Sequence, residues 1–254
     1  MSVGRITTRV IGSGSGVIGP SVGIPSSGGG GPTGGLISWW DMTEASGNRA
    51  DSHGSNPAVD INTVDQRTGP GGASTASDHL SNADERFHIA APHGMGFDSL
   101  TSVSVCGWFV CDVSNIPHYI VHLGTDYNSP TAFDYQLRRN ATTRATELRM
   151  GSTAAGRTSQ IGATVANGVW AFFYFYYDAD SGEMGLSIND GAVSSKAVAG
   201  TRVESGTTMY LGFAQPSYGM DGGLASIAVY DQVLDASVVT TLYNGGTRLL
   251  YADL

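Results

Sequence analysis

Residues 170–191 read WAFFYFYYDADSGEMGLSINDG and contain the clearest structural signal in the chain. Side chains on an extended strand alternate between its two faces, so residues 170–177 would place large apolar groups on both faces. Turn-forming residues at 178–182 then interrupt the run, and apolar residues alternate with small or polar ones at 184–189. This pattern predicts a β-hairpin whose first strand is buried on both faces and therefore lies inside a sheet.

A second strand is predicted at residues 103–111, VSVCGWFVC, which contain both cysteines of the chain. Cys106 and Cys111 are five residues apart, so on a strand they point to opposite faces and lie about 17 Å apart at ~3.3 Å per residue. A disulfide requires Cα atoms within about 7 Å, so these two thiols cannot pair with each other. Two free thiols are typical of a protein that folds in a reducing cytoplasm.

The composition is that of an acidic, turn-rich protein. The 254 residues include 36 glycines but only 13 lysines and arginines together, and the net charge is -9. Nucleic acid is not expected as a partner, because phosphate neutralisation needs grouped basic residues. No segment approaches the ~20 apolar residues of a membrane span, and the N-terminus lacks a basic stretch followed by an apolar run, so we expect neither membrane insertion nor secretion.

Residues 1–35 differ from the rest of the chain. They contain no acidic and no aromatic residue, and they end in a Gly-rich run that is typical of a flexible linker. Two interpretations stay open: a disordered segment, or an arm that adds small β-branched residues to a partner's groove or sheet edge. We predict an anchoring arm over 1–35, ahead of one folded domain over 36–254, and its contact residues are Val10, Ile11, Val17, Ile18, Val22 and Ile24.

Short strands with turn signals between them continue through the folded domain, and one helix is predicted close to the C-terminus. Its N-cap is Asp235, its apolar face contains residues 238, 239, 242 and 243, and Asn244 with Gly245 ends it. This order of elements predicts an all-β fold, a two-sheet antiparallel sandwich with one short C-terminal helix. Trp39 and Trp40 would point to opposite faces, so one would be core and the other could stack on a sugar.

Several segments in this order resemble the laminin-G-like, concanavalin A-like jelly-roll superfamily, in the variant common in phage and bacterial surface proteins. The matching segments are 40–47 (WDMTEASG) with Asp51 and Gly54 beyond it, 103–108 (VSVCGW), 170–173 (WAFF) with 177–178 (YD), 186–191 (LSINDG), 221–222 (DG) through 228–230 (AVY), and the terminal helix. The resemblance covers residues 36–247. It implies a jelly roll of two antiparallel sheets, with ligands at one rim or on the concave face and often a bound calcium ion.

The resemblance implies calcium ligands in the loop after the first strand, where this chain has Asp51, Asn56 and Asp60. Calcium takes about six to eight oxygen ligands, and these side chains are chemically suitable. Ser226 stands in a region where many family members carry an acidic residue, so ordinary turn-forming roles for the three residues stay open as the alternative.

Two loops carry aromatic and amide side chains that no core pattern requires. One contains Tyr127 and Asn128, and the other contains Gln215 and Tyr218. A tyrosine ring can stack on the apolar face of a sugar while an amide reads its hydroxyl groups, so we predict that these four residues bind carbohydrate. Packing caps over the loops are the alternative interpretation.

Catalysis is not expected. Retaining glycosidases need two carboxylates about 5–5.5 Å apart, and no predicted strand carries alternating acidic residues. Asp178, Asp180 and Glu183 belong to the hairpin turn, where turn formation accounts for them. His118 and His122 would share one face of a strand and could begin a zinc site, but core or surface histidines are the favoured interpretation.

Together these features predict a non-enzymatic virion surface protein of a phage, assembled in the host cytoplasm as a capsid decoration, head fibre or tail-associated protein. The N-terminal arm would bind a capsid or tail protein, and the lectin-like domain would bind surface glycans of the host, as a single chain or a homo-oligomer. Two alternatives stay open: a glycoside-cleaving enzyme of the same fold, and a structural decoration without a ligand.

Overall fold

A computed structural model describes residues 30–72, 75–79, 84–90, 102–113, 115–125, 129, 133–152, 156–200, 202, 208–214 and 219–254. These residues form two antiparallel β-sheets and one short α-helix, which confirms the predicted two-sheet sandwich. The six contact residues predicted in the arm lie outside the described part of the chain.

The described residues contain fifteen strands and the helix α1 (Ala236–Tyr243). In chain order the strands are β1 Leu36–Trp40, β2 Val59–Ile61, β3 Asp65–Thr68, β4 Thr75–His79, β5 Arg86–Ala90, β6 Val103–Cys111, β7 His118–Gly124, β8 Phe133–Arg139, β9 Ala145–Ser152, β10 Gly156–Thr164, β11 Ala171–Asp178, β12 Glu183–Ile188, β13 Ser194–Ala197, β14 Thr208–Leu211 and β15 Gly222–Tyr230.

One sheet has eight strands and the other has seven. The eight-stranded sheet has the order β13-β12-β11-β6-β15-β4-β3, with β1 also paired to β15, and the seven-stranded sheet has the order β10-β9-β8-β7-β14-β5-β2. The edge strands β10 and β13 lie next to each other, since Gln160 Nε2 donates to Ser194 Oγ and Lys196 Nζ donates to the Ser159 carbonyl. Side-chain hydrogen bonds therefore join the two sheets along this edge.

The predicted hairpin is present as β11 and β12, with Asp178 paired to Glu183 at its turn. Strand β11 lies between β12 and β6, so it is an interior strand, as the two-faced apolar run indicates. One of its faces contributes to the core between the sheets, and the other contributes to a second core on the outside of the eight-stranded sheet. The inner residues are Ala171, Phe173, Phe175 and Tyr177, and the outer residues are Phe172, Tyr174 and Tyr176.

The C-terminal segment covers that second core. Helix α1 buries Val238, Val239 and Leu242, and it ends at Asn244, whose left-handed backbone (φ 46°) suits a C-cap. Both tryptophans of β1 are buried, Trp40 between the sheets and Trp39 beneath this outer layer. The expectation that one of them stacks on a sugar is therefore wrong, because the C-terminal layer covers the face that the sequence pattern left open.

Both cysteines are buried and free, as predicted. Cys106 belongs to the outer core and Cys111 to the core between the sheets, so the two thiols lie on opposite faces of β6. Burial raises the pKa of the Cys111 thiol to about 12, and this thiol is therefore protonated at neutral pH. Within the described ranges, no helix is long and apolar enough to cross a membrane.

Candidate functional site

The four predicted carbohydrate ligands, Tyr127, Asn128, Gln215 and Tyr218, lie outside the described residues. Their role stays a prediction. The three predicted calcium ligands are described: Asp51 and Asn56 lie in the loop that follows β1, and Asp60 lies in β2.

The Asp51 carboxylate organises the loop in which it lies. Its Oδ1 accepts hydrogen bonds from the backbone N–H groups of Trp39 (3.0 Å), His53 (3.2 Å) and Gly54 (2.8 Å), and its Oδ2 accepts one from Asn56 (3.0 Å). Burial acts to raise the pKa of Asp51, but these hydrogen bonds outweigh burial, and the pKa lies below its ordinary value. The carboxylate therefore acts as an internal acceptor for the loop backbone.

Asp60 and Asn56 have comparable partners. The two Asp60 oxygens accept the N–H groups of Val64 (2.9 Å) and Gly47 (3.1 Å), and Asn56 Nδ2 donates to Ser38 Oγ (3.0 Å). Among the residues with described positions, no group of three or more His, Cys, Asp or Glu has an arrangement suited to a metal ion. Calcium at the three predicted ligands stays a prediction, and no part of the function proposed below depends on it.

The outer face of the seven-stranded sheet differs in composition from the outer face of the eight-stranded sheet, which α1 covers. Leu137, Leu148 and Leu211 point into the core between the sheets. Because side chains alternate along a strand, their neighbours Gln136, Arg149 and Tyr210 point outward. This outer face therefore carries polar and aromatic groups, whereas the opposite face of the sandwich lies beneath α1.

One residue from each strand forms a continuous line across this outer face. The pairings Val59–His88, His88–Tyr210, Tyr210–His122, His122–Gln136, Gln136–Arg149 and Arg149–Ser159 follow one another from β2 to β10. Neighbouring strands lie about 4.8 Å apart, so the line is roughly 29 Å long. We call these seven residues the sheet row.

Three nearly parallel aromatic rings lie side by side in one half of the sheet row. Tyr210 lies between His88 (ring centroids 5.6 Å apart, planes 21° apart) and His122 (6.1 Å, 13°). Phe213 contacts Tyr210 edge-on at 5.8 Å, and the Arg86 guanidinium lies 4.2 Å above the Phe213 ring. His122 is fully buried while His88 and Tyr210 are half-buried, so the Tyr210 ring is held rigidly with part of its surface accessible.

The other half of the sheet row contains Arg149, which interacts with two charged neighbours, Glu147 and Arg138. Arg138 donates to Glu147 Oε2 from Nε (2.8 Å) and Nη2 (2.6 Å), and Arg149 Nε lies 2.9 Å from Oε1 of the same carboxylate. Burial acts to raise the pKa of Glu147, but the hydrogen bonds from Arg149 and Arg138 outweigh burial, and the pKa lies below its ordinary value. Glu147 is therefore ionised at neutral pH. We call Arg138, Glu147 and Arg149 the arginine cluster.

His118 and His122 do not share a face, so that prediction is wrong. A register shift between Tyr119 and Val121 places Ile120 and Val121 next to each other in the core and reverses the alternation that the sequence pattern assumed. His118 Nε2 donates to the Val113 carbonyl (2.7 Å), and its Nδ1 accepts the Asp221 N–H (3.1 Å). Both nitrogens of His118 therefore serve the packing of the sandwich.

A cavity of about 270 Å³ lies on the covered side of the sandwich, between the end of β12 and α1. Asp190 and Thr240 line it, and Thr240 Oγ1 donates to Asp190 Oδ1 (3.1 Å). It is separate from the sheet row, which lies on the opposite outer face.

Comparison with known families agrees with this architecture. Residues 84–240 match the family described as the concanavalin A-like lectin/glucanases superfamily. The chain belongs to this superfamily. The match confirms the resemblance found in the sequence motifs. No curated protein matches the chain.

Solved structures of this superfamily's fold include binding domains and enzymes. The binding domain of Paraclostridial Mosquitocidal Protein 1 is 13% identical with a TM-score of 0.67, and the match covers 84% of this chain and 52% of that one. The binding domain of botulinum neurotoxin DC, in complex with SialylT, is 12% identical (TM-score 0.63, 84% and 52%). A sialidase of Trypanosoma rangeli is 12% identical (TM-score 0.62, 88% and 35%). The chain thus spans about a third to a half of these structures, and the likeness concerns the fold.

Sequence reasoning missed the sheet row, although one signal for it was present. Residues 133–139 (FDYQLRR) and 145–152 (ATELRMGS) alternate polar and apolar side chains, which indicates strands with one polar face. The signal does not show which strands are neighbours. Strand β14 inserts between β5 and β7, and only this order brings Tyr210 between His88 and His122.

Proposed function

We propose that this chain is a non-enzymatic glycan-binding protein that contacts saccharides with the outer face of its seven-stranded sheet. The observation that carries the proposal is the sheet row, a line of aromatic, amide and charged side chains on the face opposite α1. His88 and His122 stack on the two faces of the Tyr210 ring, so Tyr210 would contact a sugar through its outer ring edge and its hydroxyl. The arginine N–H groups and the Ser159 hydroxyl can also bond to sugar oxygens.

The length of the sheet row suits a ligand of several sugar units. Its line of roughly 29 Å runs across all seven strands. His122 and Gln136 in the middle of the line are fully buried, so an extended saccharide would contact the half-buried residues on either side of them, His88 and Tyr210 on one side and Ser159 on the other. The predicted loop ligands, Tyr127, Asn128, Gln215 and Tyr218, would add contacts to the same ligand. We expect the ligand to make its first contacts with the half-buried residues His88 and Tyr210 and with Arg138.

The carboxylates on this face support binding over hydrolysis. Glu147 pairs with Arg138, and Asp134 is four residues from Arg138 on β8, so the described strands place the Cα atoms of the two acidic residues about 13 Å apart at ~3.3 Å per residue. The two catalytic carboxyl groups lie about 5–5.5 Å apart in retaining glycosidases and about 6.5–9.5 Å apart in inverting ones. The arginines also keep Glu147 ionised, and an ionised carboxylate cannot serve as the general acid.

A glycan array with two tyrosine variants tests the proposal. We expect Tyr210→Ala to weaken binding about tenfold, equivalent to ~1.4 kcal/mol, because the ring loses its contact with the sugar. Tyr251→Ala is the matched control, since Tyr251 is also half-buried and packs against a histidine, His53, at 5.6 Å. Equal loss in both variants, or no binding by the unmodified chain, would contradict the proposal. Release of reducing sugar would favour the enzyme.

We propose further that the protein acts on the surface of a phage virion, assembled in the host cytoplasm, with residues 1–35 anchoring it to a capsid or tail protein. The supports are the composition of the arm, with its β-branched residues between glycines, and the two free thiols. Deleting residues 1–30 should abolish incorporation into particles while the domain stays folded. A Gly/Ser arm of the same length is the control, and incorporation of either variant would contradict anchoring.

A further inference from the structure

On the described strands of the seven-stranded sheet, positively charged side chains outnumber carboxylates on the outer face. The whole chain has 22 acidic residues and a net charge of -9. On the described strands of this sheet, alternation directs two carboxylates outward, Asp134 and Glu147, against four arginines, Arg86, Arg138, Arg149 and Arg157. A local excess of positive charge on an acidic protein favours the approach of anions to that face.

Within the described part of the chain, the arginine cluster holds two positive charges against one carboxylate. Both guanidinium groups share Glu147, and among the described residues neither forms an ion pair with another carboxylate. Their side chains are only 16% (Arg138) and 9% (Arg149) exposed. Burial lowers the pKa of Arg149, and the positive charges of Arg138 and Arg157 act in the same direction, against the hydrogen bond to Glu147. A poorly hydrated excess cation is costly, and an incoming anion would offset that cost.

The edge strand β10 offers an approach to the arginine cluster. Ile161 is paired with Glu147 in register and is 56% exposed, and Ser159 is paired with Arg149. The Arg157 side chain is exposed on the same face. This strand therefore combines an aliphatic surface, a hydroxyl and a positive charge beside the cluster, and a sugar ring that carries an acidic substituent has the complementary chemistry.

We propose that the arginine cluster, together with Arg157, selects saccharides that carry an anionic group. The proposal rests on the glycan-binding function proposed above and names its ligand class. The shared chemistry is a cluster of anionic oxygens on a sugar ring, either a carboxylate, as in sialic and uronic acids, or a sulfate. Charge-assisted hydrogen bonds from two arginines would hold this group, with Ile161 against the apolar part of the ring.

The first test is an array of matched pairs, in which each neutral glycan is printed beside its sialylated, uronate-containing or sulfated counterpart. We expect the charged members to bind at least about tenfold more tightly, with the difference shrinking as salt is raised. The separate arms show which anionic group is preferred. Equal binding within pairs overturns the inference and leaves the glycan-binding function standing. Absence of any binding overturns both.

The second test uses variants with opposite expected signs. Glu147→Gln removes the carboxylate that competes with the ligand for Arg138 and Arg149. It should therefore tighten binding of charged glycans several-fold more than binding of neutral ones. The exposed Arg157→Gln should weaken binding of charged glycans, and Arg149→Gln should weaken binding of charged glycans more than binding of neutral ones. Arg144→Gln, exposed in the β8–β9 turn, makes the same charge change away from the face and serves as the control. If Glu147→Gln weakens binding of charged and neutral glycans alike while the fold is retained, the cluster is structural and the inference is wrong.

Discussion

The Tyr174 hydroxyl on β11 forms hydrogen bonds to the C-terminal layer at Leu234, and Tyr174→Phe tests how much these bonds contribute to stability. The hydroxyl oxygen accepts the Leu234 N–H (3.1 Å) and its proton lies toward the Leu234 carbonyl (3.4 Å). The Tyr174 side chain is fully buried, and Leu234 is 1% exposed. Replacing the hydroxyl with hydrogen leaves both backbone groups of Leu234 without this partner in a site that water does not reach.

The expected cost follows from that burial. A buried polar group that loses its partner costs about 1–3 kcal/mol, so we expect the free energy of unfolding to fall by that amount. For a domain of about 150–250 residues, each 1 kcal/mol shifts Tm by about 2–4 °C, so Tm should fall by about 2–12 °C. Urea denaturation measures the first quantity and calorimetry the second.

Tyr176→Phe is the matched control. Tyr176 lies on the same strand and face and is 2% exposed, but its hydroxyl has no hydrogen-bond partner among the described residues. We expect its loss to change stability by less than about 0.5 kcal/mol. Equal destabilisation by the two variants, or none by Tyr174→Phe, would refute the idea that this hydroxyl holds the C-terminal layer in place.

Three further predictions concern pH, backbone packing and calcium. Burial lowers the pKa of His79 from 6.5 to about 4 in the folded chain. As the pH falls, His79 is therefore protonated in the unfolded chain before it is protonated in the folded one. His79 alone should lower the free energy of unfolding by about 3 kcal/mol between pH 6.5 and pH 4, and His118, whose pKa burial also lowers to about 4, acts in the same direction. Urea denaturation at several pH values measures the fall, which should be smaller in His79→Gln, and an equal fall in the variant would contradict the prediction. In Gly222→Ala the new Cβ would lie 1.9 Å from the Val110 carbonyl oxygen, and we expect a loss of at least about 2 kcal/mol by the same assay. Calcium bound at Asp51, Asn56 and Asp60 would raise Tm, and Asp60→Asn would abolish the rise, whereas identical melting curves with calcium and with chelator would contradict that prediction.

Local patterns were sufficient to predict the scaffold. The apolar run at 170–177 predicted an interior strand because alternation is a property of one strand and needs no knowledge of its neighbours. The same reasoning placed Cys106 and Cys111 on opposite faces of β6. The covering of Trp39 could not be predicted in this way, since it depends on where the C-terminal layer packs.

The candidate site depends on contacts between strands that are distant in sequence. Tyr210 and His88 are neighbours because β14 pairs with β5, and Gln136 and Arg149 are neighbours because β8 pairs with β9. Propensity and alternation do not determine that order. The register shift in β7 is a second example, because a single irregularity moved His118 to the face opposite His122.

The most direct measurement of the central claim is photo-crosslinking with a diazirine form of a glycan that binds on the array, followed by peptide mapping. If the outer face of the seven-stranded sheet is the binding surface, the label will lie in β8, β9 and β14, and Tyr210→Ala will reduce it. Labelling of the cavity beside Asp190 and Thr240, with those three strands unlabelled, would contradict the account.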